Sequence, residues 1–138
     1  MGRRRARRTA LQVLFAVDLT GQDARTAFDD TVELVGTPEP DRQFAWELVE
    51  GVLTHRSALD AIIRKYSEQW HLERLACVDR NILRLALYEI LFREDIPNAV
   101  GANEAVELAK RFGGPDSGRF INGILGRVLE EFSRPDFA

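Results

Sequence analysis

The sequence predicts an all-α protein of about seven helices, arranged as two packed helical halves. Three observations carry this. Apolar residues recur at helical spacing from Leu11 to Phe132. Valine and isoleucine occur, but never in sustained alternation between turn signals, so no strand is indicated. Breakers at Gly21, at Gly36 to Pro40 and at Gly113-Gly114 separate the periodic segments. A chain of 138 residues with 45% hydrophobic and 30% charged residues can bury a core and is not of disordered composition. It fits one domain, residues 1–138, with an N-terminal half of about 1–70 and a C-terminal half of about 71–138.

The elements follow in order. The first helix spans residues 3–20 and stops at Thr20-Gly21, and a second covers 24–35 with Ala27, Phe28, Val32 and Val35 as its apolar positions. A long helical stretch starts near Asp41 and runs to Tyr66, either unbroken or divided near His55; Gly51 inside it costs about 1 kcal/mol relative to alanine. Residues 69–77 read as the break between halves, with a helical turn at 72–75. From Val78 to Phe92 the apolar arc is too wide for a surface helix and marks the central helix of the second half, leaving Arg80, Arg84, Tyr88 and Glu89 as its polar face. Ile96-Pro97 starts the next helix, which ends at Gly113-Gly114. The last begins near Pro115-Asp116-Ser117 and ends at Arg134-Pro135, with Gly123 and Gly126 small enough to admit another helix closely.

Charge is distributed unevenly. The net charge is −3, yet Arg3, Arg4, Arg5, Arg7 and Arg8 precede the first acid, Asp18; the remaining residues hold 14 basic against 22 acidic side chains, a balance of −8. At 100° per residue Arg3, Arg4, Arg7 and Arg8 share a sector with Leu11, Leu14 and Phe15. Unpaired guanidinium groups are too costly to bury, so the first two turns are expected to run off the edge of the protein. Such a cationic end suits a phosphate backbone; the plainer alternative is a solvated extension. The acidic remainder suits a basic partner or is simply solvated. No apolar run reaches the roughly 18–20 residues of a membrane span, and no apolar signal-peptide segment follows the arginines, so a cytoplasmic protein with no membrane partner is expected.

Catalytic signatures are missing from the pattern. Cys77 is the only cysteine and has no identifiable basic partner, which leaves neither an intrachain disulfide nor a cysteine zinc site. His55 and His71 have no metal-ligating neighbour at helical spacing and read as surface or capping residues. Gly113-Gly114 follows a helix and acts as a stop, not a phosphate loop. Neither catalysis nor a cofactor is expected. Asp79 and Asp116 precede helices and have an ordinary role as caps or dipole partners. Phe120 has an ordinary role in the core, or stacks on a base if exposed beside a basic patch.

Longer motifs go further. Arg3-Arg4-Arg5-Ala6-Arg7 followed by Ala10-Leu11-Gln12-Val13-Leu14-Phe15 resembles the opening of the NusB family of bacterial transcription antitermination factors. Val78-Asp79-Arg80-Asn81-Ile82-Leu83-Arg84-Leu85-Ala86-Leu87-Tyr88-Glu89-Ile90 is similar to its central helix. Asn103 to Gly113, then Asp116-Ser117, then Phe120-Ile121-Asn122-Gly123-Ile124-Leu125 resembles its C-terminal signature. The likeness spans nearly the whole chain and is weakest over 22–70. It implies a NusB-like fold of two helical subdomains. It also implies binding of boxA-type single-stranded RNA together with the ribosomal protein NusE, within a transcribing RNA polymerase complex on ribosomal RNA operons. By the resemblance Arg3, Arg4, Arg5, Arg7 and Arg8 meet RNA with Phe120, while Asp79 and Asp116 face NusE. It leaves open monomer or homodimer. The alternative is a protein-interaction or dimerisation module in which RNA binding is incidental. Gly101-Ala102 departs from the family pattern and implies a locally weaker helix. The family also supplies an N-terminal domain to certain ribosomal RNA cytosine methyltransferases, but a chain of this length has no room for their catalytic domain.

Overall fold

A computed structural model describes residues 2–67 and 75–132. Its seven helices, in chain order, are α1 (Gly2–Thr20), α2 (Ala24–Val35), α3 (Asp41–Thr54), α4 (Arg56–Tyr66), α5 (Cys77–Phe92), α6 (Asn98–Phe112) and α7 (Ser117–Phe132); no strand occurs among the described residues. The all-α expectation holds, with its element order. The 41–66 stretch is two helices: the backbone leaves α3 at His55, whose N–H reaches the Gly51 carbonyl at 3.1 Å. The expected turn at 72–75, His71 and the Arg134-Pro135 stop all involve positions outside the described residues.

Contacts divide the chain into two compact units, Met1–His55 and Arg56–Ala138. The division falls earlier than the 69–77 region suggested by the sequence, because α4 packs with α5 and α7. Leu59 and Ile63 of α4 are fully buried within the second unit.

In the first unit α1 packs along α3 and α2. Ala6, Ala10 and Ala45 are fully buried, and their small side chains let the backbones approach. Asp23 caps α2 by accepting from the Thr26 N–H at 3.0 Å. Gly36 ends α2 in the left-handed region, φ 72°, which glycine adopts without steric cost. The chain then returns through Thr37, whose buried hydroxyl lies 2.7 Å from that of Thr9 on α1.

In the second unit α5 is central, with every residue from Asn81 to Leu87 buried, as its wide apolar arc predicts. Ile82, Leu83, Leu85 and Leu87 are at most 1% exposed and contribute about 2 kcal/mol each by burial. Two of the four residues assigned to its polar face are not solvated. Arg84 and Glu89 are buried, and Arg84 makes a two-pronged pair with Asp60 of α4, Nε to Oδ1 at 2.7 Å and Nη2 to Oδ2 at 3.0 Å. Asn81 adds a third acceptor at 3.2 Å. A carboxylate with matching fork geometry compensates the buried guanidinium, which the local pattern alone could not reveal.

α6 runs unbroken through Gly101, which is buried against α5; a Cβ there would meet Ile90 Cγ1 at 3.4 Å. Gly123 and Gly126 have nothing within 4 Å of an added Cβ, so they mark no close helix contact among the described residues. At the far end of α7, Arg127 donates to the Tyr66 carbonyl at 3.0 Å. Burial raises the Tyr66 phenol above its usual value, and the Glu131 carboxylate adds to the effect.

Candidate functional site

Two surfaces gather the residues singled out by the sequence, one on each unit. The first is the arginine row of α1. The helix begins at Gly2 and does not run off the protein: Ala6 is fully buried and Arg7 is 4% exposed. The cost that argued for a projecting end is met by α3, which presents an aromatic face and a carboxylate to the row. Arg3 lies over the Phe44 ring with its guanidinium carbon 4.1 Å from the centroid, and Arg7 lies over the same ring at 5.8 Å. Arg5 pairs with the buried Asp41 at 3.2 Å. Arg3, Arg4 and Arg5 are exposed, and Arg8 is half-buried with a buried Nε that has no hydrogen-bond partner among the described residues. The row therefore splits into an outward set, Arg3 to Arg5, and an inward pair, Arg7 and Arg8.

The second surface is a groove of about 400 Å³ in the second unit, lined by Leu75, Ala76, Asp79, Gly114, Pro115, Asp116, Ser117 and Phe120. It lies where the start of α5 meets the turn from α6 into α7. That turn is unusually tight at Gly113, where a Cβ would stand 2.6 Å from Ser117 Cβ and 2.8 Å from the Ala109 carbonyl oxygen. Only glycine fits there. Ser117 Oγ accepts from the Gly114 N–H at 2.8 Å and fixes the turn that sets Asp116 and Phe120 at the groove. Two helix starts thus border the groove, and each has an acid beside it. Asp79 lies in the first turn of α5, after the cap position held by Ala76, and its Oδ1 is buried without a hydrogen-bond partner among the described residues. Asp116 is 85% exposed and pairs with Arg119 at 3.2 Å.

This gathers residues that the resemblance assigns to two surfaces, since Phe120 shares a groove with both aspartates. Asp41 and Phe44, which hold the arginine row from α3, were not singled out by sequence reasoning. Phe44 was legible only as a core position and Asp41 only as a helix-start acid. Cys77 sits half-buried at the start of α5, where its Sγ accepts from Asn81 Nδ2 at 3.5 Å. No group of three or more potential metal ligands exists among the described residues, and no described helix is long and apolar enough to cross a membrane.

With this geometry, similarity to known proteins can be weighed. The model of the NusB family matches residues 4–130. The transcription antitermination protein NusB of Desulfitobacterium hafniense is 53% identical over 138 residues, covering 99% of this chain and 93% of the relative. A solved structure of NusB from T. maritima is 37% identical with a TM-score of 0.88, covering 98% of this chain and 95% of that one. A crystal structure described as the antitermination factors NusB and NusE in complex with double-stranded RNA holds a chain 30% identical to this one, with a TM-score of 0.87 over 95% of this chain and 98% of that one. With a family match across residues 4–130, and a relative 53% identical over 93% of its length, the chain belongs to the NusB family.

Proposed function

We propose that this protein is an RNA-binding transcription antitermination factor. It binds boxA-type RNA together with the ribosomal protein NusE and joins transcribing RNA polymerase on ribosomal RNA operons. The observation that carries the reading is the outward arginine set, Arg3, Arg4 and Arg5, held on a packed helix in a chain whose other residues hold 16 basic against 22 acidic side chains, a balance of −6. Family membership supports it, as does the relative described in complex with NusE and RNA. The arginines supply affinity for the phosphate backbone, which carries no sequence information, so discrimination falls to base contacts and to the protein partner. Phe120 offers a ring on which a base can stack. No catalytic step is required.

A second reading makes protein docking the main task and RNA binding incidental. The groove favours it: a buried Asp79 Oδ1 without a hydrogen-bond partner among the described residues and an exposed Asp116 suit a basic segment of a ribosomal protein. A donor from such a partner would satisfy an acceptor that is costly to leave unmade. Combining Asp79→Asn with Asp116→Lys is expected to weaken NusE binding at least about tenfold in a pull-down or titration, with the helical circular-dichroism spectrum unchanged. Undiminished NusE binding by the double variant would remove both aspartates from the partner surface.

A further inference from the structure

We propose that Phe44 is a positioning residue for nucleic-acid binding: a buried ring of α3 that holds the exposed Arg3 guanidinium of α1 in place, with the buried Arg7 packed against the same ring. The inference rests on the reading that the arginine row meets the RNA backbone. Phe44 is 7% exposed and belongs to the core of the first unit, yet two cations of the row lie over its ring, at 4.1 and 5.8 Å. Arginine side chains are long, and fixing them on a phosphate costs rotamer entropy. A cation–π contact uses none of the guanidinium N–H donors, so it can order Arg3 beforehand without consuming what a phosphate would accept. Asp41 acts differently on Arg5. Its carboxylate orders the guanidinium at 3.2 Å but occupies one of its donors and offsets part of its charge. The Phe44 ring itself brings no countercharge. Leucine or methionine at the same position would fill most of the apolar volume and lack the ring's negative face.

The test compares Phe44→Leu, Phe44→Tyr and Arg3→Ala in binding the same boxA-type RNA strand across a salt series. Phe44→Leu is expected to weaken binding about three- to fivefold with an unchanged salt slope, because the same phosphates are still met by less ordered cations. Phe44→Tyr keeps the ring face and should bind like the wild type. Arg3→Ala should lower the magnitude of the slope by about 0.7. In an Arg3→Ala background Phe44→Leu should have no further effect on binding, an outcome that a purely structural role would not produce. Unweakened binding by Phe44→Leu, alongside weakened binding by Arg3→Ala, would overturn the proposal and leave the RNA reading intact. No effect of Arg3→Ala would instead count against the RNA reading at that residue. If Phe44→Leu does not fold, Phe44→Met serves in its place, and NMR relaxation of the Arg3 Nε–H in the wild type decides independently. An order parameter below about 0.6 there would mean that the ring does not hold the cation.

Discussion

Replacing Arg3, Arg4 and Arg5 together with alanine is expected to flatten the dependence of log K on log salt by about two units, and to weaken RNA binding about a hundredfold near 0.1 M salt. Each phosphate neutralised on a single strand contributes a slope of about −0.7, so three contacts give about −2. Two units acting over the decade between about 1 and 0.1 M salt correspond to the hundredfold loss. All three side chains are exposed, but Arg5 is the partner of the buried Asp41, so the titration is read beside a circular-dichroism spectrum that matches the wild type's. Arg7 is not in this set because it is buried against α3, and its replacement should act mainly on stability. An unchanged slope in the triple variant would remove the outward arginines from the RNA surface, whatever the family suggests.

The second large effect is on stability. Asp60→Ala is expected to destabilise the protein by about 3–5 kcal/mol, because it takes the carboxylate away from the Arg84 guanidinium, whose side chain is 6% exposed. Exposed ion pairs seldom contribute more than about 1 kcal/mol, and this one differs in being buried, two-pronged and backed by Asn81. Replacing Asp60 and Arg84 together by apolar residues of similar volume should recover most of the loss, since the cost lies in a buried charge without its countercharge and not in the absent pair. Urea unfolding followed by circular dichroism measures both. A loss below about 1 kcal/mol for Asp60→Ala would show that Arg84 does not depend on this carboxylate.

These two cases show where a single sequence is informative and where it is not. The helices were legible because their signals are local. Gly21, Gly36 and Gly113 sit at ends, and the apolar arc of residues 78–92 is the buried centre of the second unit. Even the choice left open near His55 came from a local weakness, and the structure resolves it as a break. What failed were statements about burial of charge. The arginine row was expected to leave the protein because its local surroundings hold no partner. Those partners, Asp41 and Phe44, lie on another helix, and no spacing rule connects them to Arg5 or Arg3. Arg84 was read only as part of the polar face of its helix for the same reason, its partner Asp60 being 24 residues away. The boundary between units shifted because α4 reads equally well as a continuation of α3, and only the packing of Leu59 and Ile63 decides. The groove is an intermediate case. Asp79, Asp116 and Phe120 stood out individually, but only the Gly113 turn brings them together.

The most direct test of the central claim is an RNA titration of the whole protein, alone and with the ribosomal partner, comparing a boxA-type strand with a scrambled one of equal length. Tighter binding to the boxA-type strand, strengthened further by the partner and lost in the Arg3, Arg4, Arg5 triple variant, is the expected result. Equal affinity for both strands, with and without the partner, would contradict the assignment as a sequence-selective RNA-binding antitermination factor.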